Sequence, residues 1–359
     1  MKFKITMYHF KNLYIFFYII ALIISFFSTT NVKAESFEIN NIEISKPFEN
    51  NFNKNKVIDT GFREAFFQLI KLLVKSNDQK KIDQISLKEI KSMIESFSIK
   101  EEKFINEIYN VKLGVSFEKR KIFDYLEKKN IFPTQIIKET FLVIPIIIDE
   151  DIKSLSIFSN NKIFENWNVS NEGTQLIKYL LPSEDLEDMK LIKSKSDFIE
   201  NYDFKEIIEK YFLNHSIVLL IFKNEDTVKI LSKINIQDKI FIRNNSFKGI
   251  DFNDETKVQN LINDLKLIYE DLWKDYNQIN TSIKLPLFIR VDNNNLRNST
   301  NFESAMEKVD LINSYKINRF DKDYIYYEVI FNGTPQNFIN IMKKKDYIFN
   351  TQKKIWILK

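Results

Sequence analysis

The chain has 359 residues, with 53 basic and 49 acidic side chains and a formal charge of +4. That excess sits wholly in residues 1–34, where Lys2, Lys4, Lys11 and Lys33 stand without an acid, so the remainder carries 49 basic against 49 acidic residues. A neutral chain with no basic block argues against nucleic acid as a partner, and the absence of cysteine excludes disulfides, thiolate metal sites and cysteine nucleophiles.

The first element is an uncharged apolar run over residues 13–27, preceded by the three lysines and followed by small and polar residues ending in Val32-Lys33-Ala34. A basic start, a short apolar centre and an A-x-A-like end predict a secretory signal peptide cleaved after Ala34. The run is shorter than the roughly 20 residues a membrane-spanning helix uses. The competing reading is an uncleaved anchor, since no charge occurs between Lys11 and Lys33.

Partial alternation over residues 36–44 predicts a strand, and residues 50–56 a polar loop. Thr60-Gly61 then opens a helix to residue 74, with Phe62, Ala65, Phe66, Leu69, Ile70 and Leu73 on one stripe. A second helix is expected over 86–96, a half-buried strand over 106–117 and an amphipathic helix over 118–129. Residues 36–135 form one α/β module on this reading. A continuous apolar run, 141–148, reads as a buried strand, and Pro145 within it argues for an edge or a bulge. Helical patterns follow at 174–181, 184–192 and 203–212. Residues 215–222 read as another buried strand, and 228–243 as a hairpin through Asn235-Ile236-Gln237-Asp238. The longest helix, 254–279, starts after a capping Asn253 and closes a middle module over 137–283.

The order of the last module, 284–359, is the clearest. A strand at 285–291 precedes a helix opened by a capping box at Thr300 and Glu303. A hairpin turns at residues 320–323. Asn332-Gly333 then turns the chain, Thr334 caps a helix with Pro335 in its first position, and a strand closes at 354–358. That is β-α-β-β-α-β, the ferredoxin-like unit, so the fold class is α+β; the unit hosts many unrelated functions.

Several stretches resemble one family. Pro182-Ser183-Glu184-Asp185-Leu186-Glu187-Asp188 resembles a Pro…Asp-Leu-Glu-Asp signature. Phe331-Asn332-Gly333-Thr334 through Lys345, followed by Ile355-Trp356-Ile357-Leu358, resembles that family's closing turn-helix-strand, and Phe62-Arg63-Glu64-Ala65-Phe66 its first helix. The family is the uncharacterised bacterial envelope family known only as a domain of unknown function, number two thousand and sixty-six. The resemblance spans nearly all of the chain after residue 34. Lys75-Ser76-Asn77 departs from it, standing where a helix-ending glycine is expected. It implies a Gram-negative periplasmic setting and supplies no activity. By element order alone, residues 141–283 also look like the amino-terminal α/β domain of TolB-type periplasmic proteins, which serve in protein contacts.

Few residues offer chemistry. Of two histidines, only His215 lies beyond residue 34; it sits at the entrance to a buried strand, without the elbow that presents a serine nucleophile. The five glycines, Gly61, Gly114, Gly173, Gly249 and Gly333, are all isolated, which excludes the familiar phosphate-cradling loops. No metal site and no cofactor are expected. The acidic run Glu184, Asp185, Glu187 and Asp188 is the best site candidate. Asp185 and Asp188, three apart on a helix, share a face and suit an acid/base pair or a cation. The simpler reading has Ser183 capping the helix and the acids stabilising its first turn. Trp273 and Trp356 fall on core positions, while no periodicity says which way Trp167 faces.

The expectation is an exported, non-enzymatic binding or adaptor protein whose partner is another envelope component, touching the inner membrane only if residues 13–27 remain attached. The alternative is a carboxylate-dependent hydrolase or carbohydrate-active enzyme using Asp185 and Asp188.

Overall fold

Strand β1 (Ser36–Pro47) turns Ile39, Ile42 and Ile44 inward, with a bulge at Asn41 (φ 63°) between them. The computed structural model describes residues 36–152, 154–169, 175–224, 227–237, 239–293 and 296–359, apart from the side chains of 296–298. The signal peptide expected over residues 1–34 therefore lies outside the described residues. Helix α1 (Lys54–Leu73) starts six residues before Thr60, because the Asn53 side chain accepts the N–H groups of Asn55 and Lys56. Its first turn is polar apart from Val57, so apolar spacing alone misses it. The predicted stripe is buried, Phe66 and Leu69 completely. The helix ends on Val74 in extended backbone, which asks for no glycine.

After α2 (Ser76–Gln79), α3 (Leu87–Met93) begins with a capping box between Ser86 and Glu89. The chain then enters β2 (Ile94–Ile105), a strand the sequence reading lacks, since its exposed, charged residues show no buried alternation. Asn106 and Glu107, both left-handed, turn it into β3 (Ile108–Glu118), followed by α4 (Lys119–Lys128). The sheet runs β1-β3-β2, all antiparallel.

The middle of the chain comprises β4 (Glu139–Asp149), β5 (Ser154–Ser156), α5 (Lys162–Asn166), β6 (Ile177–Leu180), α6 (Leu186–Ser194), a 3₁₀ turn (Ser196–Phe198) and α7 (Lys205–Glu209), then β7 (His215–Asn224), β8 (Thr227–Ile236), β9 (Lys239–Lys248) and α8 (Glu255–Tyr276). The sheet order is β5-β4-β7-β8-β9, with β6 parallel to the first residues of β4. Alternate residues of β4 enter two cores. Phe141, Val143 and Ile147 meet the large cluster that includes Leu265 and Tyr269 of α8. Leu142, Ile144 and Ile146 join Ile192, Ile199, Phe204 and Ile207 on the other face. Cover on both faces is why β4 and β7 are continuously apolar. Pro145 lies between the stretches that pair with β6 and with β5, so its missing N–H breaks no ladder bond, and its carbonyl accepts Asn161 Nδ2 at 2.9 Å.

The helix expected at 174–181 is instead strand β6, whose alternating Ile177 and Tyr179 point inward. Four residues are too few to separate the two periods, and the open edge of β4 decides. Asp254, rather than Asn253, caps α8, accepting the N–H groups of Thr256 and Lys257.

The last unit runs β10 (Leu285–Asp292), α9 (Leu296–Glu307), β11 (Ile312–Phe320), β12 (Tyr324–Phe331), α10 (Pro335–Lys343), β13 (Phe349–Asn350) and β14 (Ile355–Leu358). The α+β class holds throughout. Helix α9 starts before Thr300, which lies inside it rather than at a cap, while Phe302, Met306 and Val309 are buried. Strand β13 is an addition to the β-α-β-β-α-β order. The chain leaves α10 along β13 at the sheet edge, reverses, and inserts β14 parallel to β10, giving β11-β12-β10-β14-β13. A single apolar cluster runs through all three sheets, from Ile39 to Met342.

Candidate functional site

Helix α6 begins at Asp185, whose carboxylate caps it by accepting the Glu187 N–H at 2.7 Å; Ser183 is not the cap. That bond, with Lys210 nearby, holds the Asp185 carboxyl below its ordinary range. Asp188, one turn on, is only 2% exposed and sits 2.6 Å from Lys210 Nζ, which also lies 3.6 Å from Asp185. The structure thus brings the two predicted carboxylates together, but around an ammonium supplied from just beyond α7. The pairing with Asp188 raises the Lys210 pKa, so the cation stays in place. A carboxylate pair clamped this way ties α6 to α7, with the Lys210 ammonium shared between both carboxylates.

His215 is 4% exposed and stacks on Phe141 with ring centroids 4.8 Å apart. Its Nδ1 accepts the Gln237 N–H at 3.3 Å, and burial lowers its pKa, which keeps the ring neutral near pH 7. It is a core residue. Trp167 and Trp273 are buried too; Trp273 donates its indole N–H to the Ile137 carbonyl at 2.8 Å, and Trp167 packs edge-on to Tyr179.

The sequence reading passes over a row of buried charges. On α8, Lys266, Glu270 and Lys274 continue the i, i+4 row that begins at buried Ile262, and all three are buried. They line a cleft of about 300 Å³ with Lys71, Gln79 and Gln175. Glu270 accepts the backbone N–H groups of Leu176 and Ile177, the latter at 2.8 Å, while burial raises its pKa. Lys274 donates to the carbonyls of Lys71 (2.6 Å) and Val74 (3.1 Å), and burial lowers its pKa. Asp271 accepts Ser76 N and Oγ, and Asp275 pairs with Lys75 at 2.6 Å. Asp271, Lys274 and Asp275 therefore meet a backbone group or countercharge at the seam between α8 and the amino-terminal unit, and Glu270 meets the start of β6. A charged row interrupting an apolar helix face was the available signal. Its meaning depended on which chain end lay opposite.

Among the described residues no cluster of three or more histidine, aspartate or glutamate side chains could hold a metal, and no helix is long and apolar enough to cross a membrane. Several exposed apolar side chains lie on strand edges. β2 presents Phe97, Ile99 and Phe104, the last against exposed Phe48; β11 presents Ile317 and Phe320; β9 presents Ile240 and Ile242. No protein-family model matches the chain, and no curated protein matches it.

Proposed function

We propose that this chain is an exported, non-enzymatic binding or adaptor protein of the bacterial envelope, and that it acts in the periplasm through the open edges of its sheets. The observation that carries this reading is the split between its polar and apolar groups. The titratable side chains with buried or shifted character at α6–α7 and along α8 meet bonds inside the fold, while apolar residues of β2, β9 and β11 face outward on edge strands. Unpaired strand edges are ready templates for another chain, and proteins that have no use for them usually shorten or cover them. The basic, apolar, small-residue order of residues 1–34 and the resemblance to the envelope family support the compartment. The hydrolase alternative loses its footing at Lys210, which occupies the space between Asp185 and Asp188.

The test is crosslinking in cells followed by capture through a tag spaced beyond Lys359 and mass spectrometry. A reproducible envelope protein, crosslinked at residues of these edges, is the expected result. Turnover of a peptidoglycan or lipid substrate by the purified protein would overturn the reading. An intact mass beginning at Glu35 is expected for the exported chain, and a full-length mass would place it on the membrane through residues 13–27.

A further inference from the structure

The three edges are not equivalent. Strand β1 carries a bulge and ends in Pro47, and the pairings of β2 and β11 each contain register shifts, as expected of edges that twist away from new partners. β5 and β13 have three residues and two. β9 alone among the described edge strands is long and regular: its ten residues pair with β8 in one unbroken register, from Ile236↔Lys239 to Thr227↔Lys248. The closing pair flanks a two-residue turn, so the even-numbered residues from Ile240 to Lys248 direct their N–H and C=O groups away from β8.

The side chains along this edge have a definite chemistry. Ile240 is 72% exposed and Ile242 56%, and Phe212, at 94%, lies in the turn just before β7. Between Ile240 and α7 runs a groove of about 680 Å³, apolar at Ile208 and Leu213, with Asp203, Lys205 and Glu209 on its α7 side, so the excess of cations stands along β9 and not in the groove. Lys239, Arg243 and Lys248 are exposed, and none forms an ion pair with a described residue. Strand β9 contains no acid at all. In a chain whose charges balance beyond residue 34, this is a strongly cationic strand.

We infer that β9 is a docking edge for an acidic, extended segment of a partner protein, which adds to the sheet as a further strand. Backbone bonds to the outward N–H and C=O groups supply the pairing, Ile240 and Ile242 take apolar side chains on one face, and Lys239 and Arg243 select the alternating acidic ones on the other. The same cations disfavour a second copy, because antiparallel pairing of two β9 edges would set basic strand against basic strand. This inference rests on the binding reading above and names its site and the class of its partner.

The probe is a synthetic ten-residue peptide alternating valine and glutamate, with a valine–lysine peptide as its control, each titrated onto the purified protein. The glutamate peptide is expected to bind, with affinity falling as salt rises. Binding is expected to drop about tenfold or more in Asn244→Pro, which removes an outward N–H, and in the double variant Lys239→Glu/Arg243→Glu. Both variants should keep the parent circular dichroism; Ser246→Pro replaces Asn244→Pro if that variant unfolds. Equal binding of the lysine peptide, no binding of either, or a homodimer that Asn244→Pro abolishes would each overturn the inference. In cells, a captured partner whose yield Asn244→Pro leaves unchanged refutes this edge but keeps the adaptor reading, whereas no partner from any position removes the reading itself.

Discussion

Strands β7 and β2 have similar lengths and opposite surroundings. β7 runs between β4 and β8 with α8 on one face and α6–α7 on the other, and its residues from His215 to Ile221 are all buried. β2 lies at the edge of a three-stranded sheet whose helix α1 packs chiefly over β1, and eleven of its twelve residues are exposed. The apolar residues of β7 are there for cohesion. Those of β2 are only half used by the fold, as in Phe97, which touches Phe62 edge-on yet stays open to solvent. Apolar content by itself therefore does not mark a core strand; cover by helices does.

The strongest way to break this comparison is a matched pair of truncations. Leu219→Ala, in fully buried β7, is expected to cost about 2–5 kcal/mol. Ile99→Ala in β2 should cost no more than about 0.5 kcal/mol, as for an ordinary surface change. Urea denaturation measures both, and similar losses would show that β2 is covered in solution. Next in size is Lys274→Ala, which strips the Lys71 carbonyl of its ammonium donor, leaves the Val74 carbonyl only Gln79 Nε2, and removes a cation beside Glu270. A loss of about 2–3 kcal/mol is expected, since a charged donor to buried acceptors is removed. That value would show that the α8 row is structural. Ligand-dependent stabilisation abolished by Lys274→Ala would instead make the cleft a site.

Smaller still, Asn53→Ala should cost about 1 kcal/mol as the loss of a helix cap, while Thr60→Ala, inside α1, should cost less. The reverse order would move the start of α1 back to the residue the apolar pattern suggests. The smallest effect concerns pH. Burial sets the His215 pKa below its ordinary 6.5, so the unfolded chain takes up the proton more readily. The stability this supplies is complete above about pH 6.5 and is lost as pH falls through the lower folded value. Melting temperatures at pH 7.5 and 5.0 should therefore differ less in His215→Phe than in the parent chain. An equal difference would mean that the ring is not held neutral.

Much of the fold was legible because it is local. The run through residues 141–148 announced a strand covered twice, and Asn332-Gly333-Thr334-Pro335 marked one turn and one helix start, whereas Pro145 lies inside a strand with no bulge in its pairing to β7. What failed were elements whose identity depends on a neighbour. Residues 177–180 are a strand because β4 has an open edge for them, and β2 is one because β3 folds back beside it. The candidate site divides in the same way. Spacing along α6 placed Asp185 and Asp188 together, but nothing in residues 184–188 says that Lys210 lies between them.

By itself, then, the sequence determined the α+β class, the neutral charge beyond residue 34, the lack of thiol chemistry, and the order of the closing unit, because periodicity, composition and turn residues act over a few positions. Tertiary structure decided which charges are consumed and which strand is left open. Lys274 meets carbonyls two hundred residues away along the chain, and the outer edge of β9 lacks a neighbouring strand only because the sheet ends there. Those outcomes come from which surfaces meet, and contact between distant segments leaves no period in the chain that makes it.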